Sequence, residues 1–223
     1  YLRQRERLLD YAAAHIQHMQ KALVQMNLQL HHVVADITGK TGMRIIRAIL
    51  DGVRDPLTLA SYRDARCKAA AETIAQALAG NYRPEHLFAL RQAVALYDAY
   101  QHHVAECDQH LEAVLARLCA PEPPAHPLPA PRHTTRQPNA PSFDVRAALY
   151  AMLGVDLTQI HGIGPALALK LVSECGTDLS KWPTAKHSTS WLCLAPGSKI
   201  SGGKVLSTRT RRSKNRTSAL LRL

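Results

Sequence analysis

The 223 residues are enough for one large or two small domains, and an aromatic content of 5% is low for a β sandwich or barrel. No apolar run approaches the roughly 18 residues of a membrane span. The five cysteines are odd in number and form no C-x-x-C pair, which is typical of free thiols in a reducing compartment. These features predict a mainly α-helical, soluble, cytoplasmic protein.

The formal net charge of +11 is unevenly distributed along the chain. Residues 1–118 carry 14 Lys or Arg and 12 Asp or Glu, whereas residues 144–223 carry 12 and 4. After Asp178 there are ten basic residues and no acidic one. A one-sided excess of this kind attracts polyanions such as nucleic acids, and a solvated basic tail without a partner is the alternative.

The first element is a helix whose apolar residues recur at spacings of three and four. A period of 3.5 residues that is kept for more than three heptads is typical of a coiled-coil seam. The pattern predicts a helix from Leu2 to about Asp36, with this seam: Leu9, Ala12, Ile16, Met19, Leu23, Met26, Leu30 and Val33.

Three further helices are predicted before the middle of the chain: a short one that ends at Leu50, one from Pro56 to Ala79, and a long one from Pro84. The last has its own seam, formed by Leu87, Leu90, Val94, Tyr97, Gln101, Val104, Asp108, Leu111, Leu115 and Leu118. Two seams of similar length predict long antiparallel coiled-coil helices with a helical insertion. Residues 1–118 are therefore predicted to be a coiled-coil connector domain through which the protein forms a homo-oligomer, and no metal site is predicted in this chain.

A proline-rich segment follows, predicted as a linker over residues 119–143. Eight of the thirteen prolines lie between Ala120 and Pro141, which favours an extended, semi-rigid spacer. Residues 144–223 then form the predicted C-terminal domain, which begins with a helix over Val145–Leu153.

The most specific motif of the C-terminal domain is Leu157-x-x-Ile160-x-Gly162-Ile163-Gly164-Pro165-Ala166-x-Ala168-x-x-Leu171. This pattern resembles the helix-hairpin-helix DNA-binding motif. Gly162 and Gly164 allow a tight turn with positive φ, and Pro165 starts a helix whose N-terminal N–H groups face a phosphate. The five apolar positions hold the hairpin together, and the predicted DNA-binding residues here are Gly162, Ile163, Gly164 and Lys170. An ordinary helical turn with G-x-G is the alternative.

The last segment combines a loop of small residues, Ala195 to Lys204, with a run of basic side chains. Such a run binds phosphates with an affinity that falls steeply with salt. The predicted DNA-binding residues are Lys199, Lys204, Arg209, Arg211, Arg212, Lys214 and Arg216.

Seven segments resemble the insertion-sequence "one-ten" transposases, the DEDD/serine recombinases of prokaryotic mobile elements. These segments are Tyr1-Leu2-Arg3-Gln4-Arg5, Met19-Gln20-Lys21-Ala22-Leu23, Gln25 to Leu30, Asp36-Ile37-Thr38-Gly39-x-Thr41-Gly42, Gly80-Asn81-Tyr82-Arg83, Trp191-Leu192-x-Leu194-Ala195-Pro196 and Ser201-Gly202-Gly203-Lys204. Two departures from the family pattern are that the acidic N-terminal domain is missing and that Cys193 stands where a glycine is expected.

The resemblance implies a transposase fragment that cuts and rejoins DNA through a serine–phosphate intermediate, with Ser201 as the nucleophile. Family members hold a divalent metal, Mg²⁺ as we expect, in an N-terminal RNase-H-like domain. No cofactor is therefore expected on this chain, and the chain alone is expected to be inactive. DNA is the implied partner, some family members also use a structured guide RNA, and no membrane is implied.

Two alternatives stay open for the function and two for the role of Ser201. A helix-hairpin-helix module that binds nucleic acid without chemistry is the first, and a decayed remnant of a mobile element is the second, because both ends of the chain look truncated. Ser201 could also be only a turn residue before two glycines, and Ser198 is the nearest competitor as nucleophile.

Overall fold

The computed structural model describes residues 1–118, 124, 126–132, 139–210, 212 and 215–222. Over these residues it contains ten α-helices and one two-stranded sheet, so the predicted mainly α fold is confirmed. The chain divides into two compact units, the first of Tyr1 and Arg3–Cys107 and the second of Leu2 and Asp108–Leu223. The predicted domains 1–118, 119–143 and 144–223 stay predictions.

The first unit contains five helices and most of a sixth: α1 Leu2–Gln25, α2 Leu30–Val33, α3 Lys40–Leu50, α4 Pro56–Ser61, α5 Ala71–Ala77 and α6 Pro84–Leu118. Within this unit α1 and α6 run antiparallel. Leu8 near the start of α1 packs with Val104, whereas Leu23 near its end shares a core with Leu90. The coiled-coil character of this pair stays a prediction.

The predicted seam positions are buried or half-buried, apart from Leu118, which is 60% exposed at the end of α6. The predicted end of the first helix near Asp36 is wrong, because α1 stops at Gln25. Asn27 adopts a φ of 59°, and the N–H of Leu28 donates to the carbonyl of Leu23 at 2.9 Å. This left-handed ending stops the helix and still leaves Leu28 and Leu30 fully buried.

The predicted single helix from Pro56 to Ala79 is also wrong, because α4 and α5 are separated by irregular backbone. Asp64 interrupts the helical pattern with contacts that the local sequence does not reveal. Its carboxylate lies 2.9 Å from the Lys40 ammonium, and its N–H donates to the Thr41 hydroxyl at 2.9 Å. The hydrogen bond from Lys40 lowers the pKa of Asp64 well below the usual carboxyl range.

The second unit contains α7 Val145–Leu153, a 3₁₀ turn Leu157–Gln159, α8 Pro165–Cys175, α9 Ala185–Trp191, β1 Lys199–Ser201, β2 Lys204–Ser207 and α10 Arg216–Leu220. The predicted helix Val145–Leu153 is confirmed. Asp144 caps it by accepting from the Ala147 N–H at 3.0 Å. The core of this unit is formed by buried residues of α6, α7 and α8, namely Leu115, Val145, Leu149, Ala168 and Leu169.

Part of the predicted linker lies outside the described residues, namely 119–123, 125 and 133–138. Residues 126–132 carry no helix or strand and are hydrogen-bonded to α7 and to the turn that follows it. The Tyr150 hydroxyl donates to the carbonyl of His126 at 2.9 Å, and Arg132 donates to the carbonyl of Gln159 at 3.1 Å. The described part of the linker is therefore held within the second unit.

Candidate nucleic-acid interface

The turn between the 3₁₀ segment and α8 contains the predicted hairpin glycines. Gly162 has a φ of 85°, as predicted, and is exposed. Gly164 does not share this conformation, because it is the N-cap of α8 with a φ of −85° and a ψ of 168°. Pro165 is the first residue of α8, as predicted. The turn therefore needs one left-handed glycine and not two.

Only some of the apolar residues of the motif pack in the core as predicted. Leu157, Ile163 and Ala168 pack in the core of the second unit, and Leu171 is half-buried. Ile160 is 54% exposed, so its predicted role in holding the hairpin together is wrong. The segment before the turn is a 3₁₀ turn of three residues and not a full helix, which rotates Ile160 away from the core.

Asp156 anchors this turn, and its buried carboxylate is the centre of a polar network. It lies 2.6 Å from the Arg146 guanidinium and accepts from the Thr158 hydroxyl at 2.7 Å and from the Gln159 amide at 2.9 Å. Burial opposes ionisation of the carboxylate, but the hydrogen bonds from Arg146, Thr158 and Gln159 outweigh it and lower the pKa of Asp156 far below its usual range. Sequence analysis missed this ion pair, which joins α7 to the turn.

The predicted loop from Ala195 to Lys204 contains a β-hairpin that sequence analysis missed. β1 and β2 pair antiparallel, with Ser201 directly opposite Lys204. Gly202 and Gly203 form the two-residue turn with φ values of 54° and 77°. Positive φ at both positions is the geometry that two-residue hairpins favour and that glycine adopts most easily. The Gly-Gly pair was the signal that could have predicted this hairpin.

Ser201 is the last residue of β1 and is exposed beside the turn. Because directly paired residues project to the same side of a sheet, the side chains of Ser201 and Lys204 lie on one face of the hairpin. Lys199 is on the same strand two residues earlier, and Ile200 pairs with Val205 on the other face. Ser198 is also exposed but precedes β1 and takes no part in the pairing.

The remaining predicted DNA-binding residues differ in their surroundings. Arg209 and Arg212 are exposed, and the Arg209 carbonyl accepts from the Gly197 N–H at 3.0 Å. Arg216 forms an ion pair with Glu174 at 3.5 Å, and Lys170 is half-buried on α8. Arg211 and Lys214 lie outside the described residues.

Cys193 has a φ of 54°, a left-handed conformation that glycine adopts more easily than other residues. It follows α9, where the N–H of Leu194 donates to the Thr189 carbonyl at 2.9 Å and the N–H of Cys193 to the Ser190 carbonyl at 3.0 Å. This is a Schellman ending. The Cys193 carbonyl also accepts from the Arg222 guanidinium at 2.8 Å, so the end of the chain is tied to α9.

The described residues contain no group of three or more His, Cys, Asp or Glu side chains that could hold a metal ion. In the same part of the chain, none of the helices combines the length and the apolar character that crossing a membrane requires.

One family model matches the part of the chain that contains the candidate interface. A model of the transposase IS116/IS110/IS902 family matches residues 154–222, a range that includes the glycine turn, α8, α9 and the hairpin with Ser201. No curated protein and no solved structure matched the chain. Residues 154–222 are therefore similar to the transposase domain of the IS116/IS110/IS902 family, and this match supports a role in DNA transposition.

Proposed function

We propose that this domain cleaves and rejoins DNA strands with Ser201 as its nucleophile. The observation that carries the proposal is the position of Ser201 on the hairpin. Its hydroxyl is exposed at the strand end, the neighbouring Gly202 and Gly203 have no side chains that would block a DNA backbone, and Lys204 is its direct partner across the hairpin. A serine presented in this way can approach a phosphodiester.

In the proposed step, a bond forms between the Ser201 oxygen and phosphorus while one bridging P–O bond of the DNA strand breaks. The serine proton passes to a base, and the departing deoxyribose oxygen takes up a proton. Negative charge develops on the phosphoryl oxygens, and Lys204 and Lys199 are the charged groups of the hairpin that stabilise it. Rejoining is the reverse reaction with the hydroxyl of another strand.

The glycine turn before α8 is proposed to hold the DNA backbone in the manner of a helix-hairpin-helix motif. Within the described part of the chain, the N–H groups of Gly162 and Gly164 have no protein acceptor. They precede α8, a helix of eleven residues whose N-terminal end carries partial positive charge. Contacts of this kind position a protein on DNA without reading its sequence.

The other proposed partners follow from the resemblance. DNA is the main partner, a structured guide RNA is a second polyanion that the same basic segment could bind, and a homo-oligomer would form through α1 and α6. The divalent metal that such transposases use is assigned by the resemblance to an acidic domain that these 223 residues do not include. We expect the 223-residue chain by itself not to cleave DNA, because a serine hydroxyl needs a base or a metal for activation.

The test is a covalent-adduct assay in which the 223-residue chain is combined with the acidic domain of the parent transposase. Ser201→Ala should abolish strand cleavage and the covalent protein–DNA adduct, because no oxygen remains to attack phosphorus. Binding of duplex DNA should change less than twofold, since the hydroxyl carries no charge. The matched control is Ser198→Ala, three residues away and equally exposed, which should retain the adduct.

Two outcomes would contradict the proposal. An adduct that survives Ser201→Ala and disappears with Ser198→Ala would move the nucleophile to Ser198. Salt-dependent DNA binding without any adduct in the combined system would favour the second candidate function, a binding module without chemistry. The observation that favours this candidate is the lack of an acidic cluster in the described residues.

A further inference from the structure

The two tryptophans of the chain, Trp182 and Trp191, lie against each other at the surface of the second unit. Their ring centroids are 4.9 Å apart, and the ring planes are inclined by 49°. Trp191 is 45% exposed and Trp182 is half-buried, while Leu179 beside them is 61% exposed. Tryptophan is the largest apolar side chain, so this exposed area is unusual unless something covers it.

Backbone hydrogen bonds position both rings outside the hydrophobic core. The N–H of Trp182 donates to the Leu179 carbonyl at 3.0 Å, which closes a turn before α9. Trp191 is the last residue of α9, and the Schellman ending at Cys193 holds it there. Neither ring belongs to the described core around Leu149 and Leu169. The pair is therefore not needed to fill that core.

The charge around the pair identifies the kind of partner. Lys181 precedes Trp182 and Lys186 lies on α9 between the two tryptophans in sequence; both are exposed, and the sequence has no Asp or Glu after Asp178. The Asp178 carboxylate accepts from the Ser180 N–H at 2.9 Å, and the hydrogen bonds from Ser180, with a smaller contribution from the charge of Lys181, lower its pKa below the usual value. An exposed aromatic pair within a purely basic segment fits a ligand that offers both a flat π-face and phosphates.

We propose that Trp182 and Trp191 stack on an unpaired base of single-stranded DNA while Lys181 and Lys186 bind its flanking phosphates. Bases within a duplex are covered on both faces by their neighbours, so only an unpaired base offers a face to indole. Stacking of this kind tolerates any base, since every base has a π-face. The inference rests on the proposed DNA binding and adds an unpaired strand as the ligand.

The experiment uses the full 223-residue chain and two DNA ligands, a fluorescently labelled single strand of fifteen thymidines and a duplex of the same length. Since the chain has no other tryptophan, its tryptophan fluorescence, excited at a wavelength that tyrosine does not absorb, reports on this pair alone. The single strand should quench this fluorescence. Trp191→Ala should weaken single-strand binding about tenfold and duplex binding less than twofold, because only the stacked base is lost.

Two variants guard against an effect of misfolding. Trp191→Phe keeps an aromatic ring and should weaken single-strand binding only about threefold. The double variant Lys181→Gln with Lys186→Gln changes exposed side chains only and should weaken single-strand binding at low salt. The matched control is Phe88→Ala, which removes a 65% exposed aromatic ring from the first unit and should leave binding unchanged.

The outcomes separate this inference from the proposed function. If the wild type binds both ligands and Trp191→Ala, folded by its melting curve, leaves single-strand affinity unchanged, the stacking site is wrong and DNA binding stands. If the wild type binds neither ligand, both the proposed DNA binding and the stacking site are wrong. If the tryptophan-dependent binding is tighter for an RNA strand of fifteen uridines than for DNA, the assignment to DNA is overturned.

Discussion

At the scale of single residues, Cys193 is a non-glycine residue in a left-handed conformation. A left-handed conformation brings the Cβ of an L-residue close to the following carbonyl oxygen, which costs roughly 1–2 kcal/mol. Cys193 adopts this conformation because the Schellman hydrogen bonds at the end of α9 require it. The glycine expected from the family pattern would form the same bonds without this strain.

We therefore expect Cys193→Gly to stabilise the second unit by about 0.5–1 kcal/mol, as the relief of strain exceeds the entropy that glycine adds to the unfolded chain. Urea unfolding monitored by circular dichroism measures this change. Cys193→Ala is the control and should be nearly neutral, since alanine keeps the strain. A loss of stability in the glycine variant would show that the thiol makes a contact that matters more than the backbone.

At the scale of elements, the ion pair between Arg146 and Asp156 joins α7 to the turn that carries Gly162. The Asp156 side chain is almost fully buried, and its oxygens are surrounded by donors from three residues. Removing the charge of one partner of such a pair leaves the other buried without compensation, which costs about 3 kcal/mol. This ion pair therefore positions the proposed DNA-binding turn on the core of the second unit.

The lowered pKa of Asp156 predicts how the stability that the ion pair contributes changes in acid. Because its folded pKa lies below that of the unfolded chain, the ion pair stabilises the protein fully above about pH 4 and progressively less as the pH falls further. Asp156→Asn should cost about 3 kcal/mol at pH 7 and clearly less at pH 3. Urea unfolding of both proteins at the two pH values measures the difference.

Asp144→Asn is the matched control for this prediction, since asparagine caps helices about as well as aspartate. It should change stability by less than 0.5 kcal/mol at either pH, which is a rough expectation for exposed substitutions. If the cost of Asp156→Asn were the same at pH 3 as at pH 7, the carboxylate would not be held ionised by its neighbours.

At the scale of the whole molecule, the uneven charge predicts where duplex DNA binds. The logarithm of the affinity should fall linearly with the logarithm of the salt concentration, with no preference for sequence. Replacing Lys199 and Lys204 by Gln should lower the slope by roughly two, because about 0.9 is lost for each phosphate contact. Electrophoretic shift titrations at several salt concentrations measure the slope.

The control is the replacement of two exposed lysines of the first unit, Lys21 and Lys68, by Gln. It removes the same charge from the nearly neutral half of the chain and should leave the slope almost unchanged. A larger effect from this control than from the hairpin variant would place the DNA on the first unit.

Several elements could be predicted from the sequence because their signals are local. The caps and prolines at Asp55 and Pro84 and the N-cap at Asp144 mark helix starts in any surroundings, and the apolar period of α6 shows which face is buried. The glycine turn at Gly162 was predictable for the same reason, since a positive φ is a property of one residue. The basic segment could be predicted by counting the charged residues along the chain.

Other features were decided by tertiary structure. The apolar period continues past Gln25, where the helix ends. The period indicates which residues are buried and not that they are helical. Leu28 and Leu30 are buried after the left-handed turn at Asn27, outside α1. The interruption at Asp64 depends on Lys40 and Thr41, more than twenty residues away.

The hairpin that carries Ser201 was missed for a different reason. Its strands have three and four residues and are exposed almost throughout, and the alternation in Lys199-Ile200-Ser201 is too short to predict a strand. From the sequence alone, the resemblance to the transposase family made Ser201 the candidate nucleophile. Only the structure determined that its neighbour across the sheet is Lys204, because Gly202-Gly203 permits a two-residue turn but strands this short and exposed do not by themselves specify that they pair.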